Sequence, residues 1–478
     1  MRREKIFRHC TRSSAGMQGC CPTVSTRNPL AKTISLRYHT AYYDADALHA
    51  MPKPNNHRAV IGGSEYLPIV IGGMGVDVST PAMVLEAARL GCIGHLSDAM
   101  VPLLCDRFFG TTFTKDKVER YRRLVETDRE SPVVPQFDLE EYRRAQTMYI
   151  TDTVEKKRGT GGVFVNCMER LHVGTSREIL EVRLNASLDA GIDGITLSAG
   201  LHSNSLKLIA DNPRFRDAKI GIIVSSWRAL RLFLRSASRY NRMPDYIVVE
   251  GPLAGGHLGF GDDWRQYILR EIVADVLNNL EKENLNIPVI PAGGIFDAED
   301  TMFFLGMGAA AVQVATRFTV TRESGLTDTA KQTFFEAEEK DVFVGPASPT
   351  GYPIRLLRSS PCLNSNIAPQ CESLGYALDS KGRCQYIDAY RASGNDVSSG
   401  KKLPIADKVC LCYHIGRYDT WTCGASVVRL KETAERDTQG VYQQPTTENI
   451  IQEYLGEREP LNRSFQKICN TTSEIYST

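Results

Sequence analysis

A glycine-rich loop with one histidine is the part of the sequence best suited to chemistry. The stretch 250–260 reads EGPLAGGHLGF and places His257 directly after Gly255 and Gly256. Glycine lets the backbone approach a planar ligand closely, and histidine has the side-chain pKa nearest neutrality. The loop therefore indicates a ligand site with an acid–base group. The alternative is a glycine-rich turn in which the histidine has no chemical role.

The elements that position this loop alternate along the chain. From residue 67 onward, short runs rich in Val and Ile alternate with segments of helical period, which is typical of βα units around a parallel sheet. The predicted strands are 68–74, 92–96, 162–168, 194–198, 219–225, 246–250, 287–292 and 310–315. The clearest predicted helices are 81–90, 176–190, 262–283 and 297–305, with a charged helical stretch at 115–157.

Eight such strands predict an α/β fold, a (β/α)8 TIM barrel with a helical insert and a Cys-rich C-terminal extension. An open, doubly wound sheet is the alternative. Glycines cluster after the predicted strand ends, and in a barrel those ends converge on one face, where ligands bind. The glycine–histidine loop follows the sixth strand and therefore belongs to that face.

The last two predicted strands end in residues suited to phosphate. Gly293 and Gly294 follow the seventh strand, and Ala315, Thr316 and Arg317 end the eighth. In barrels, the loops after these two strands commonly bind phosphate through backbone N–H groups and a short helix N-terminus. We therefore expect a phosphorylated ligand, with Thr316 as a hydroxyl donor and Arg317 as a cation. The alternatives are glycines that ease helix packing and an Arg317 in a structural ion pair.

Five stretches in this order resemble the nitronate monooxygenase family, formerly called 2-nitropropane dioxygenases, and the related flavin-dependent enoyl-ACP reductases. They are PIVIGGM at 68–74, VNCM at 165–168, the AGGH loop within 250–259, and the stretches 287–295 and 308–324. The resemblance implies a barrel that binds FMN non-covalently. The residues it assigns to the cofactor are Gly72, Gly73, Met74, Asn166, Gly255, Gly256, Ala292, Gly293, Gly294, Gln313, Ala315 and Thr316.

The resemblance also divides these residues by role. Those on the first and third strands would contact the flavin ring, and those after the seventh and eighth would hold the phosphate. His257 matches the family histidine near the reactive edge of the flavin, and Ser225 and Ser226 would add polar contacts. The first strand ends in Gly73-Met74 where the family often has Ala-Pro-Met, and Glu250-Gly251 is closer to the reductases. These departures leave the substrate open.

The activity implied is that of an FMN-dependent oxidoreductase that oxidises nitronates or nitroalkanes with O₂. His257 would act as a base or as an electrostatic stabiliser, and with its usual pKa of about 6.5 both protonation states are accessible. One alternative is an NAD(P)H-dependent flavin reductase acting on an enoyl thioester or a quinone. A second is a flavin-binding subunit without catalytic activity.

The domain organisation follows from composition. Residues 58–357 are predicted to form the barrel, 1–57 a basic, flexible tail, and 358–478 the extension. The first 40 residues contain eight Lys or Arg and one acid, which matches an organellar transit peptide; an unstructured tail or an overlong gene start fits equally. We expect a cytoplasmic protein, with organellar import as the alternative.

The extension is rich in cysteine. Residues 362–423 within it contain six of the 13 cysteines of the chain, namely Cys362, Cys371, Cys384, Cys410, Cys412 and Cys423. Such clustering suggests a metal or redox site, but no C-x-x-C pair is present. His414 would be either a further ligand or an ordinary surface residue. Buried thiols or a covering flap are the alternative, so metal binding stays undecided.

The overall charge excludes two classes of partner. Lys and Arg number 57 against 56 Asp and Glu, so no net field favours nucleic acid or an anionic membrane. The sequence contains no apolar run of about 18 residues, the length that a transmembrane helix needs. The expected partner is a small-molecule substrate, and a homodimer is the assembly considered.

Overall fold

The computed structural model describes residues 53–127, 136–169, 171, 176–369, 381, 383–395, 405 and 407–459. Residues 1–52 of the predicted basic tail, where a transit peptide was one alternative, and Cys371 therefore lie outside the described residues. Within the described ranges, no helix is long and apolar enough to cross a membrane.

The strands and helices alternate as the sequence predicts. The strands are β1 (Ala59–Ile61), β2 (Ser64–Tyr66), β3 (Ile69–Ile71), β4 (Ile93–Ser97), β5 (Gly162–Met168), β6 (Gly194–Ser198), β7 (Lys219–Val224), β8 (Tyr246–Glu250), β9 (Gly256–His257), β10 (Val289–Ala292), β11 (Val312–Val314), β12 (Val342–Gly345) and β13 (Ile354–Leu357). The helices are α1 (Pro81–Arg89), α2 (Val101–Phe109), α3 (Phe113–Thr127), α4 (Leu139–Glu155), α5 (Ser176–Asp189), α6 (Ser205–Ile209), α7 (Trp227–Ser238), α8 (Leu269–Lys282), α9 (Ala298–Gly306), α10 (Asp328–Glu336), α11 (Gln385–Ala392), α12 (Leu411–Ile415) and α13 (Thr447–Tyr454).

Eight parallel strands close into a barrel in the order β3-β4-β5-β6-β7-β8-β10-β11. The predicted TIM barrel is thereby confirmed, and the open sheet is excluded. Strands buried on both faces explain the nearly continuous apolar runs of the sequence. Side-chain caps start the helices that follow: Thr80 accepts a hydrogen bond from Met83 N at 3.2 Å, and Asp297 accepts one from Asp300 N at 3.0 Å.

The barrel interior is filled below the mouth. Alternate strand residues meet there, among them Val70, Phe164, Tyr246 and Val248. His95 is buried with them, with its Nδ1 2.8 Å from Ile71 O. The interior is therefore a packed core, and ligands are left to the carboxyl ends of the strands.

One helix begins later than predicted. The sequence predicts a helix at 262–283, but α8 starts at Leu269, and Trp264–Gln266 form a separate 3-10 turn. Ile268 is extended, with φ −127°, which breaks the helical path. The turn places the Trp264 ring 4.8 Å from the guanidinium of Arg355, a contact with no signal in the helical period.

The charged insert forms helices α3 and α4. Helix α4 packs against α2 and α5 on the outside of the barrel. Asp98, after β4, and Arg183, on α5, form a fully buried ion pair of 2.7 Å. Asp98 N also donates to Asn166 O, and Met168 N donates to Asp98 Oδ1. The pair therefore fixes the carboxyl end of β5.

Two small sheets are absent from the prediction. The β1–β2 hairpin places Ile61 and Tyr66 in the interior core. Strands β12, β13 and β9 form a second, antiparallel sheet, in which Ile354 pairs with His257 and Arg355 with Gly256. Its short strands lie far apart in the sequence, so no local pattern predicts their pairing.

The described residues after 358 pack directly on the barrel and belong to the same compact unit. Helix α13 contacts α1 and α9, and Thr422 bridges to Leu356 of β13. Arg322 N donates to Pro445 O at 2.9 Å. The boundaries at 57 and 357 stay predictions, because the contacts run across the second one without a break.

Candidate active site

Two glycines at the end of β3 stand against polar side chains of neighbouring strands. A Cβ atom at Gly72 would lie 3.3 Å from the Gln313 amide, and one at Gly73 would lie 2.5 Å from Asn166 Cβ. The Asn166 Oδ1 atom is buried and has no hydrogen-bond partner within the described part of the chain. Buried polar atoms are normally paired, so this oxygen points to a ligand group.

The loop after Gly73 is held from below by one serine. Met74 N donates to Ser79 Oγ at 2.9 Å, and Ser79 Oγ donates to Gly72 O at 3.0 Å. Ser79 is fully buried. The three residues assigned to the flavin ring on this loop therefore have a fixed backbone.

The predicted phosphate site has the expected backbone but an unexpected neighbour. Gly293 and Gly294 follow Ala292 with φ of +96° and +92°, which glycine adopts readily. The Thr316 hydroxyl, next to Ala315, accepts a hydrogen bond from Gly424 N at 2.9 Å.

Ser426 reaches the same loop, since its Oγ donates to Gly294 O at 3.2 Å. Residues 424–426 start a 3-10 helix, Ala425–Thr433, in the predicted extension. The sequence analysis missed them, and only the short Gly-Ala-Ser run before an apolar segment could have signalled a helix start.

Arg317 has the structural role. Its NH2 group forms a buried ion pair with Glu453 of α13, and its guanidinium lies 5.1 Å from the Phe296 ring and 5.3 Å from the Tyr454 ring. The side chain is 1% exposed. The expectation that Arg317 supplies a cation to the phosphate is therefore replaced by its structural alternative.

His257 is held by the small sheet rather than by the barrel. Its Nε2 atom lies 2.6 Å from Ser348 Oγ, and Leu258 N donates to Pro353 O at 2.9 Å. Ser348 is fully buried, and its Oγ also accepts from Thr350 N and lies 2.8 Å from Thr350 Oγ1. No local pattern indicated Ser348, because it lies 91 residues away from His257 in the chain.

Burial lowers the pKa of His257 to about 4, although the side chain keeps some surface exposure. The imidazole is therefore neutral at physiological pH, and the cationic state considered from the sequence is not populated there. Because the folded-state pKa lies below the unfolded value, this residue stabilises the fold above pH 6.5. That contribution is lost as the pH falls from 6.5 toward 4.

Gly255 is required by the protein itself. A Cβ there would lie 2.7 Å from the backbone carbon of Cys423 and 2.8 Å from Gly424 N. Gly256 has φ +70° and pairs with Arg355. Both glycines thus let the loop pass between β13 and the extension, and their assignment to the cofactor stays a prediction. Ser225 secures the far end of the loop by donating to Gly259 O at 2.9 Å.

Two charged residues of this region were missed by the sequence analysis. Glu250 ends β8, and burial raises the pKa of its carboxyl group to about 7 even though the charge of Arg355 opposes the shift. Arg355 is 1% exposed and donates through NH1 to Ala254 O. Burial lowers its pKa to about 10. The sequence signal for Glu250 was its position as an acid directly after the apolar run YIVV, at the end of a predicted strand.

The cysteines of the extension that the structure describes are buried. They are five of the six at 362–423, namely Cys362, Cys384, Cys410, Cys412 and Cys423. No group of three His, Cys, Asp or Glu residues suited to a metal occurs among the described residues. His414, which is buried and lies 3.6 Å from Asp419, is not a surface residue.

The residues present fit FMN. A glycine-lined strand end, an unpaired amide oxygen and a pair of glycines with positive φ after strand β10 suit a ring at one end and a phosphate at the other. The fold is a TIM barrel, and the lining of its mouth suits a protein of the flavin-binding class.

Comparison with known proteins agrees with this class. Residues 144–394 match the model of the nitronate monooxygenase family. A probable nitronate monooxygenase of Staphylococcus saprophyticus is 32% identical over 292 residues, covering 60% of this chain and 74% of that protein. The chain therefore belongs to the nitronate monooxygenase family, whose members are flavin-dependent oxidoreductases acting on small molecules.

Further similarities are broader. A probable nitronate monooxygenase of Staphylococcus aureus strain MRSA252 is 31% identical over 287 residues, covering 59% of this chain and 73% of that protein. The solved enoyl reductase domain from the macrolactin biosynthesis cluster of Bacillus amyloliquefaciens has a TM-score of 0.52. It covers 85% of this chain and 97% of that chain at 12% identity, which shows the shared fold alone.

Proposed function

We propose that this chain is an FMN-dependent enzyme that oxidises nitronates, and nitroalkanes after deprotonation, with O₂. Two observations support the proposal: the Asn166 amide oxygen at the end of β5 has no partner among the described residues, and His257, in the loop after β8, has an imidazole that is neutral at physiological pH. Family membership supports the reaction class.

The chain's own residues would bind the cofactor at both ends. Gly72, Gly73, Met74, Asn166 and Gln313 would contact the ring, while Ala292, Gly293, Gly294, Ala315 and Thr316 would hold the phosphate. Bound FMN supplies the transfer of electrons from the substrate to O₂.

His257 would act as the base that accepts the proton next to the nitro group. Ser348 Oγ can accept from His257 Nε2–H because its own hydroxyl can donate to Thr350 Oγ1. This arrangement leaves the lone pair on Nδ1 for the substrate. Deprotonation breaks a C–H bond, forms an N–H bond and leaves the negative charge on the nitronate oxygens. The neutral state of His257 at physiological pH is the state that this role requires.

The reaction is tested with purified, FMN-loaded protein and a preformed alkyl nitronate. We expect oxygen consumption and nitrite release without any pyridine nucleotide. Rapid NADPH-driven bleaching of the flavin, with an enoyl thioester or quinone consumed and the nitronate untouched, would instead establish the reductase alternative. Protein that acquires no flavin absorption band after FMN addition contradicts every flavin-based function.

The base is tested with His257→Ala and Ser348→Ala. We expect turnover of a neutral nitroalkane to fall by about 10² to 10⁴ for His257→Ala, because placed proton transfer contributes that much. Oxidation of the preformed nitronate should fall far less. His57→Gln is the matched control, since His57 contacts Ala310 O just before β11, at the opposite end of the barrel. Full nitroalkane turnover by His257→Ala removes the assignment.

A further inference from the structure

The interior face of the barrel mouth has one ionisable side chain among the described strand ends. Interior residues alternate along each strand, as the buried Tyr246 and Val248 of β8 show, and two residues further this face is occupied by Glu250. The interior residues at the strand ends include Ser97, Asn166, Ser198, Glu250, Ala292 and Gln313. Five of these six are neutral, so Glu250 is the one among them whose charge can change with pH.

The charge of the buried Arg355 acts on this carboxyl group. The Arg355 guanidinium lies 4.8 Å from the Trp264 ring, and NH1 donates to Ala254 O. Its Nε and NH2 atoms are buried and have no partner within the described residues. Arg355 therefore acts on Glu250 by charge, without a hydrogen bond between them. Its Nε–H and NH2 groups can still donate hydrogen bonds to a ligand.

The protonation of Glu250 is the variable at this site near neutral pH. Burial raises the pKa of Glu250 to about 7, so the neutral acid, an O–H donor, is abundant there. Arg355, next to Arg265, stays cationic with a pKa of about 10. Burial raises the pKa of Cys423 to about 12 and lowers that of His257 to about 4, so both stay neutral between pH 6 and 9.

We propose that Glu250 and Arg355 form a receptor for the anionic oxygens of the substrate. Protonated Glu250 donates the hydrogen bond, and Arg355 supplies the fixed positive charge. The ligand class is a small planar anion whose charge is shared by two or more oxygens. Naming that anion a nitronate rests on the proposed function, whereas the receptor itself rests on the interior position of Glu250 and the unpaired donors of Arg355. Ionised Glu250 would repel the same anion.

Inorganic nitrate is the probe, because it is planar, anionic and unreactive here. Its dissociation constant is measured by calorimetry on the FMN-loaded protein between pH 6 and 9. We expect the constant to rise about tenfold per pH unit above pH 7, as binding that requires one proton demands. Glu250→Gln keeps a neutral donor, so its constant should stay within about threefold across the range. The proposal is overturned if the nitrate dissociation constant of Glu250→Gln rises with pH as steeply as that of the unaltered protein. It is also overturned if the unaltered protein binds no nitrate at pH 6.

Arg355 is tested with a conservative pair. Arg355→Met should weaken nitrate binding at every pH and move the midpoint of the pH dependence upward, because the charge that favours ionised Glu250 is gone. Arg355→Lys should restore part of the nitrate affinity and part of the midpoint shift. It also keeps the test usable if Arg355→Met does not fold. An unchanged midpoint in both variants contradicts the role of Arg355. Glu271→Gln, which removes an exposed acid on α8, is the control and should leave the slope unchanged.

The nitronate assay separates this proposal from the proposed function. If the protein does not oxidise nitronate but its nitrate affinity still falls with pH, the proposed function is refuted and the anion receptor stands. If the protein oxidises nitronate but its nitrate affinity does not depend on pH, the receptor is refuted and the proposed function stands. If both hold, Glu250→Gln should oxidise the preformed nitronate faster than the unaltered protein at pH 9, an outcome that a merely structural Glu250 would not produce.

Discussion

Asn166 is the residue whose replacement tests the cofactor separately from the fold. Its Oδ1 atom has no described partner, so Asn166→Ala removes no hydrogen bond made by that oxygen within the protein. We expect the stability of the cofactor-free protein to be unchanged and FMN to bind about tenfold more weakly, as the loss of one buried hydrogen bond predicts.

Gln146→Ala is the matched amide control for this measurement. The Gln146 amide donates to Ser187 Oγ at 3.0 Å inside the protein, so its loss should lower stability and leave FMN affinity unaltered. FMN affinity is measured by flavin fluorescence titration, and stability by thermal unfolding. Equal FMN affinity in Asn166→Ala and the unaltered protein would contradict the assignment of Asn166 to the flavin.

Glu250 also affects stability, with a sign set by its pKa. Because the folded-state pKa of about 7 lies above the usual 4.5, protonation favours the fold. This contribution is complete below pH 4.5 and is lost as the pH rises toward 7. Glu250→Gln should therefore raise the melting temperature at pH 8 and leave it unchanged at pH 4. A lower melting temperature at pH 8 would show that Glu250 is stabilised as the ion.

At the scale of elements, the Asp98–Arg183 pair joins helix α5 to the strand that presents Asn166. Both side chains are fully buried, and Arg183 also donates to Met168 O at 2.6 Å. Arg183→Ala leaves the Asp98 charge buried and unpaired, which should cost about 3 to 5 kcal/mol in urea unfolding. Lys156→Ala, which breaks the exposed pair with Asp152, should cost less than about 1 kcal/mol. A similar loss of unfolding free energy in the two variants would contradict a stabilising role for the Asp98–Arg183 pair.

The elements also show which parts of the fold local sequence could predict. The strands 162–168, 194–198 and 246–250 have the predicted bounds, because apolar runs and flanking glycines are local signals. Strand β9 has two residues, and its pairing partner lies about a hundred positions later, so the orientation of His257 had no local signal. Likewise, the charge of Glu250 was visible, but its interior position required the register of the barrel.

At the scale of the whole molecule, the predicted extension contributes to the barrel mouth. Arg317 and Glu453 form a buried pair that joins the 3-10 helix Thr316–Val320, after β11, to α13. Residues 423–426 contact both the AGGH loop and the predicted phosphate loops. A cofactor bound by Gly294 and Thr316 would therefore lie against residues that hydrogen-bond to the extension. The extension therefore differs from the barrel in composition but is joined to it by these contacts.

The coupling predicts that FMN slows hydrogen exchange in the extension. Its phosphate would order Thr316 and Gly294, and their hydrogen bonds to Gly424 N and Ser426 Oγ would transmit that order to the 3-10 helix Ala425–Thr433. We expect amide exchange in this helix to slow on FMN addition, with helix α3 of the insert, remote in these contacts, as the internal reference. Thr316→Val should weaken the protection, because it removes the acceptor for Gly424 N. Protection confined to the barrel strands would show that the extension only covers the site, without sharing in cofactor binding.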